Sequence, residues 1–280
     1  MPQLIDDLRD MKLAIFDLDG VIYRGTNVIP GVTKTIELLK ALSIRVVFNS
    51  NNSTLTRQAY VEKLQKFGIT SNTEDIFTSA YLAAEEISKM NHQAKVFVIG
   101  EKGLKEELES KDLQVYDNEN DLTAIDYVVV GLDRAFNYQK LATAQNYILL
   151  KHAVFYATNT DATLPSNDKE LPGAGCMIAA LQTCTSQKPV RIFGKPSPIG
   201  IKMMLEETKI KNNRAVIFGD RLDTDILAGN CANIRTVLVL TGVTNRKMVE
   251  ELKIQASKSN EVDKNLLPDI IIENLNNIFS

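Results

Sequence analysis

The run Leu13-Ala14-Ile15-Phe16-Asp17-Leu18-Asp19-Gly20-Val21 sets two aspartates just beyond an apolar stretch and just before a glycine. The stretch reads as a buried strand and the glycine as a sharp exit from a sheet. Open α/β sheets bind their ligands outside such carboxyl ends. Burying like charges side by side is costly unless a cation or a shared proton compensates. A turn with a helix cap would also contain this pair, so its meaning depends on what else the chain places at strand ends.

Three more segments have the same build. Val46-Val47-Phe48-Asn49-Ser50-Asn51-Asn52 ends an apolar strand on a hydroxyl. If a helix opens there, its free N–H groups would complete an anion cradle; an ordinary Ser/Asn loop with an N-cap is the plainer alternative. In Phe193-Gly194-Lys195-Pro196-Ser197-Pro198 a lysine at a strand end is pinned by a glycine and two prolines. It can point a fixed ammonium at phosphoryl oxygens, where the alternative is a solvated loop lysine. In Ile217-Phe218-Gly219-Asp220-Arg221-Leu222-Asp223-Thr224-Asp225-Ile226, Asp220 ends an apolar strand while Thr224 and Asp225 start a helix. Asp223 and Asp225 also suit a helix N-terminus, at a few tenths of a kcal/mol or so each. Asp220, at the end of a buried strand, has no such role.

With these strands as neighbours, three or four carboxylates would share one pocket. Two unit charges about 5 Å apart at an effective dielectric of about 20 repel by roughly 3 kcal/mol. Such a cluster calls for a divalent cation, and an all-oxygen donor set favours Mg²⁺ over zinc or copper.

The elements that must position these residues alternate between strand and helix patterns, which predicts an α/β fold with a largely parallel sheet. Strands are expected over 13–17, 44–48, 95–99, 127–131, 154–157, 190–193, 215–218, 236–240 and 269–272. Helices are expected over 33–42, from the 49–53 polar cluster to Gly68, and over 81–89, 104–109, 138–150 and 199–207, with another after Gly173-Ala174-Gly175. That is more units than one typical sheet holds. The chemically loaded strand ends lie near the two ends of the chain, so a discontinuous core domain (1–80 and 187–280) interrupted by an inserted α/β domain (81–186) is expected.

Composition narrows the partners. Among 280 residues, 32 Lys and Arg nearly balance 35 Asp and Glu, leaving a formal charge of -3, which suggests neither a nucleic-acid nor an anionic-membrane partner. The apolar runs at 127–132 and 237–240 are strand-sized, too short to span a bilayer. Residues 1–10 lack the basic flank and apolar run of a signal peptide. Cys176, Cys184 and Cys231 are odd in number and widely spaced, so neither a disulfide framework nor a zinc site follows. A soluble cytoplasmic protein is expected. His92 and His152 are the only histidines, no cysteine has arginine at C-x5-R spacing, and no P-loop, G-x-S-x-G or complete G-x-G-x-x-G occurs.

Taken in order, D-x-D-G-V, strand-S-N-N, G-K-P and G-D-x-x-x-T-D resemble the haloacid dehalogenase superfamily of phosphohydrolases. Asp19-Gly20-Val21-Ile22-Tyr23-Arg24-Gly25, Ala157-Thr158-Asn159-Thr160-Asp161 and Pro172-Gly173-Ala174-Gly175 are similar to its NagD-like branch of p-nitrophenylphosphatases, phosphoglycolate phosphatases and pyridoxal phosphatases. The resemblance spans nearly the whole chain. It implies a Rossmann-like core with an inserted C2-type α/β cap, and a Mg²⁺-dependent phosphatase acting on a small phosphorylated metabolite. It further implies Asp17 as the nucleophile that becomes an aspartyl-phosphate, and Asp19 as the acid and then the base. Ser50 with the amides of Asn51 and Asn52 would hold the phosphoryl group, and Lys195 would neutralise its charge. Mg²⁺ would be held by Asp17, the Asp19 carbonyl and Asp220, with Asp225 acting through water. Ser50 stands where Thr is common and Val21 where Thr also occurs; both keep the pattern.

The segment 159–165 is the expected substrate-facing loop of the cap. Asn159 and Asp161 are its polar groups, unless they simply build a turn. Ala162-Thr163-Leu164 offers no aromatic, His or Arg to pair with a pyridine ring or a second anion. Members of this branch often pair through the cap, so a homodimer is compatible with the resemblance. A phosphotransferase or mutase would differ only in the acceptor. A non-catalytic binder of a phosphorylated metabolite would be expected to have lost Asp17 or Asp19.

Overall fold

Leu13, Ala14, Ile15 and Phe16 are all fully buried, as a central parallel strand covered on both faces requires. In the computed structural model, which describes residues 3–117, 124–166, 169–258 and 263–280, this strand ends at Asp17. It lies inside a six-stranded sheet of order Ile270–Ile272, Arg235–Val239, Ala215–Gly219, Leu13–Asp17, Arg45–Ser50, Ile76–Thr78. The Leu13–Asp17 strand runs parallel to both neighbours, with Phe16 opposite Phe218 on one side and Phe48 on the other, and Asp17 opposite Asn49. The Phe16 and Phe218 rings stack at 4.7 Å and Phe48 lies 6.4 Å from Phe16. Each such pair adds about 0.5–1.5 kcal/mol beyond its buried area. One aromatic layer therefore fixes the register that sets Asp17, Asn49 and Gly219 at the sheet's carboxyl edge. Helix Val32–Ala41 turns Val32, Ile36 and Leu39 into the core, and helix Ile199–Thr208 turns in Ile201, Met203 and Met204.

The chain forms two compact units, the first made of Met1–Asn49, Val61–Ile76 and Lys195–Ser280, the second of Ser50–Tyr60 and Phe77–Gly194. The second has its own five-stranded parallel sheet, ordered Arg191–Ile192, Val154–Ala157, Tyr127–Val130, Lys95–Ile99, Gln114–Tyr116. Helices Tyr138–Lys151 and Ala174–Thr185 close one core there, in which Phe97, Val128, Phe155, Tyr147 and Leu181 are buried together. The fold is thus α/β with a Rossmann-like parallel core, as expected.

Local differences from the sequence expectation have identifiable causes. The strand expected over 44–48 extends to Ser50, because Asn49 remains in register with Asp17. The following helix opens at Arg57, well after the polar cluster. The Asn52 side chain accepts from both the N–H and hydroxyl of Thr54 at 2.8 Å, folding the cluster into a turn. The cap falls to Thr56, whose hydroxyl accepts from the Ala59 N–H at 3.2 Å. The helix still ends at Lys66 just before Gly68, which takes a left-handed φ of +75°. Asp225 lies in a wide turn, Leu222–Ile226, that leads into the short helix Leu227–Cys231. No described helix is long and apolar enough to cross a membrane.

Candidate active site

Beyond Asp17 the chain leaves the sheet in a tight reversal. Leu18 O accepts the N–H groups of Ile22 and Tyr23, and the Gly20 N–H donates to Tyr23 O at 2.8 Å. Gly20 has a φ of +88°, and a Cβ there would lie 2.5 Å from Asp220 Oδ2. Gly242 presses on the same carboxylate still harder, since its Cβ would lie 1.8 Å from that oxygen. Asp220, one residue past the Ala215–Gly219 strand, is thereby seated between two glycine backbones. Its Oδ2 accepts the Val243 N–H at 2.6 Å.

Lys195 reaches into this carboxyl edge from the start of the last segment of the first unit. Its Nζ donates to Asp17 Oδ1 at 2.5 Å, to Asp225 Oδ1 at 2.6 Å and to the Asn49 carbonyl at 3.4 Å. The Lys195 and Asp225 side chains are only 5% and 1% exposed. The second oxygen of Asp225 accepts the Arg221 N–H at 3.2 Å. Asp17, Asp220 and Asp225 each place a carboxylate oxygen within 4.8 Å of the others. Asp19 is exposed beside this group, within the field of Lys63, whose ammonium lies 3.5 Å from the Tyr23 ring centroid. Asp223 stands apart, exposed and paired with Arg221 at 3.0 and 2.8 Å.

The electrostatics follow from burial. Desolvation raises the Asp17 pKa well above normal, opposed by Lys195 and reinforced by Asp225 and Asp220. Desolvation and then Asp225 push Asp220 up to about 6, against the Val243 N–H and Lys195. Asp19, although exposed as a residue, is raised in the same direction by the partial burial of its carboxyl group, with Lys63 opposing. Burial works against the Lys195 ammonium, but Asp17 and Asp225 outweigh it and its pKa is raised. Three carboxylates around one ammonium leave an excess of negative charge in a poorly solvated edge, and their donors are hard oxygens. That combination fits a divalent cation such as Mg²⁺.

The remaining candidates lie in the second unit. The Ser50 hydroxyl is 3.3 Å from the Tyr60 hydroxyl and accepts the Asn52 N–H at 3.2 Å. Because the helix opens only at Arg57, Asn52 is not at a helix N-terminus, contrary to expectation. Asn51 Nδ2 donates to Asp161 at 3.1 Å to either oxygen, and Asn159 Nδ2 donates to the Asn51 carbonyl at 2.8 Å. Asn51, Asn52, Asn159 and Asp161, but not Ser50, border a pocket of about 50 Å³ with Ser53, Leu132, Thr163, Leu164, Gly173 and Ala174. Sequence reading missed Lys63 and the Val243 amide. Lys63 sits mid-helix with no motif around it, and Val243 contributes only backbone, so neither carried a signal.

Residues 14–114 match the family model described as haloacid dehalogenase-like hydrolase, and residues 192–276 match a second described as HAD-hydrolase-like. The chain is 38% identical to phosphoglycolate phosphatase 1A, chloroplastic, of Arabidopsis thaliana over 277 residues, covering 90% of this chain and 75% of that protein. Among solved structures, p-nitrophenyl phosphatase from Archaeoglobus fulgidus aligns with a TM-score of 0.84 and 33% identity, covering 95% of this chain and 97% of that one. A glycerol phosphate phosphatase from Mycobacterium tuberculosis, solved in complex with magnesium, aligns with a TM-score of 0.84 and 29% identity, covering 99% of this chain and 79% of that one.

Proposed function

Because this chain belongs to the haloacid dehalogenase-like hydrolase family and is a phosphomonoesterase, we propose that it hydrolyses a small phosphate monoester through an aspartyl-phosphate on Asp17. The observation that carries this reading is the buried Lys195 ammonium at 2.5 Å from Asp17 and 2.6 Å from Asp225, beside Asp220. A carboxylate oxygen of Asp17 attacks phosphorus as the ester oxygen leaves, and Asp19 gives that oxygen a proton. Asp19, now a carboxylate, takes a proton from water, whose oxygen attacks phosphorus and releases Asp17. One carboxyl group thus serves as acid and then as base. The raised pKa of Asp19 favours its holding the proton it must donate first.

Lys195 holds Asp17 in place and offsets the charge of the arriving phosphoryl group. Ser50 follows Asn49, the register partner of Asp17. We assign the phosphoryl oxygens to the Ser50 hydroxyl and the backbone amides of Asn51 and Asn52. Mg²⁺ would be held by Asp17, Asp220 and the Asp19 carbonyl, with Asp225 behind them. When bound, the ion supplies charge neutralisation at the phosphoryl oxygens. Residues 81–186 are assigned as the cap that screens the leaving group, inserted into a core of 1–80 and 187–280. Phosphoglycolate, glycerol phosphate and p-nitrophenyl phosphate, taken from the relatives' names, form the first substrate panel, assayed by phosphate release with and without Mg²⁺.

Binding of Mg²⁺ should also register without turnover. With Asp220 lifted to about 6 from 3.8, the metal-free folded state holds a proton that the unfolded chain gives up. The group therefore costs stability as pH rises from about 4 to about 6, and the loss is complete above that window. Mg²⁺ is expected to raise the thermal midpoint, more at neutral pH than at about pH 5, where it must displace the proton. Calorimetry on wild type and Asp220→Asn checks this. Equal Mg²⁺-induced shifts in the two proteins would remove Asp220 from the ligand set.

A further inference from the structure

In the Ala157-Thr158-Asn159-Thr160-Asp161 turn, Asn159 and Asp161 bond to Asn51 and to each other. Asp161 receives the Asn51 side-chain amide, 3.1 Å from each carboxylate oxygen. Asp161 donates its own N–H to Asn159 Oδ1 at 3.1 Å. Asn159 Nδ2 donates to the Asn51 carbonyl at 2.8 Å and to Thr158 Oγ1 at 3.2 Å. The Ser79 hydroxyl also donates to the Asn51 carbonyl, at 2.5 Å. Asn51 is therefore gripped at both ends, its side chain by a charge-assisted bond and its carbonyl by two donors.

The grip on the carbonyl has a geometric consequence. In a planar trans peptide the C=O of one residue and the N–H of the next point to opposite sides. Fixing the Asn51 carbonyl toward Asn159 and Ser79 thus aims the Asn52 N–H the other way, and it is found on the Ser50 hydroxyl at 3.2 Å. That amide and that hydroxyl are two of the groups assigned above to the phosphoryl oxygens.

Glycines let the backbone close on this turn. A Cβ on Gly194 would lie 2.6 Å from Asn51 Oδ1 and 2.8 Å from Asn159 Cβ. A Cβ on Gly173 would lie 2.2 Å from the Asp161 carbonyl, and one on Gly175 would lie 2.7 Å from the Thr160 carbonyl. The Gly175 N–H donates to the Asp161 carbonyl at 2.9 Å. The Pro172-Gly173-Ala174-Gly175 motif thereby gains a role that the chemistry alone did not give it.

We propose, resting on the phosphoryl-binding reading of Ser50–Asn52, that Asp161 and Asn159 are positioning residues for that loop. The Asn159–Asp161 turn would then affect the chemical step for every substrate alike.

The test compares wild type, Asp161→Ala and Asp161→Asn on p-nitrophenyl phosphate and phosphoglycolate, whose leaving groups share nothing but the ester oxygen. Asp161→Ala is expected to lower kcat on the order of 10- to 100-fold, by the same factor on both substrates, with the ratio of the two KM values unchanged. Asp161→Asn keeps an oxygen to accept the Asn51 amide and is expected to recover part of the loss in an intact fold. Vanadate, which carries no leaving group, should inhibit Asp161→Ala more weakly than wild type. A loss confined to one substrate, or unaltered kcat and vanadate inhibition, would overturn the proposal. Ser50→Ala run in parallel separates the two levels. If it keeps wild-type kcat and vanadate inhibition, the phosphoryl-binding reading of the loop fails; if it loses both while Asp161→Ala is fully active, only the positioning role fails.

Discussion

Asp17→Asn is expected to lower kcat on p-nitrophenyl phosphate by about 10⁴-fold or more while leaving the fold intact. The amide has nearly the volume of the carboxylate, so the reversal through Gly20 and the phenylalanine layer beneath it need not move. What it lacks is a nucleophilic oxygen, and removing a nucleophile from a cooperating set costs most of the rate enhancement. The change also withdraws one negative charge from a cluster in which burial, Asp225 and Asp220 already push the Asp17 pKa up. The thermal midpoint of the metal-free variant should therefore equal or exceed that of wild type. Phosphate-release kinetics beside a melting curve read both halves. Loss of activity with a lowered midpoint would point to misfolding instead of lost chemistry.

Lys195→Met should damage both function and stability. Its ammonium bridges Asp17 and Asp225, and its removal leaves their carboxylates buried without that cation. Breaking a buried ion pair from one side costs about 3–5 kcal/mol, because the surviving charge stays desolvated. For a chain of this size that is a drop of roughly 10 °C in the midpoint of the unit concerned. Mg²⁺, placed among the same oxygens, should restore part of it. The sign with pH follows from linkage: the stranded Asp17 carboxyl group, whose pKa burial already raises, can take up a proton in acid, so the deficit should shrink as pH falls from neutrality into the acid range. Denaturant melts of wild type and variant across that range check the claim. A midpoint indifferent to the substitution would mean that Lys195 does not neutralise the cluster.

The carboxyl edge of the sheet was legible because the residues expected there stand at or just beyond the end of an apolar run long enough to be a buried strand. Asp17, Ser50 and Asp220 follow Phe16, Asn49 and Gly219, and an α/β sheet leaves little choice about where such ends point. Lys195 was legible from the stiff residues around it. The start of the helix at Arg57 was not, because seven of the eight residues from Asn49 to Thr56 can cap a helix in isolation. Non-local bonds decide between them, notably the Gly103 N–H on the Thr54 carbonyl and Glu107 on the Arg57 N–H and guanidinium. The strand Gln114–Tyr116 and the hairpin Thr163–Ser166 with Lys169–Pro172 escaped for a different reason. Three or four residues show little periodicity, and prolines at both hairpin strands argue against strand on local grounds. The role of Asp161 is of the same kind, since its partner Asn51 lies 110 positions away.

The most direct test of the aspartyl-phosphate is a rapid-mixing experiment on Asp19→Asn with p-nitrophenyl phosphate. The p-nitrophenolate ion leaves without needing a proton, so losing the acid should spare the first step, while losing the base should stall the second. The account predicts a burst of p-nitrophenol equal to the enzyme present, slow turnover after it, and phosphate found by mass spectrometry on the peptide that carries Asp17. Linear release with no burst and no phosphate on the protein, or phosphate on another residue, would contradict it.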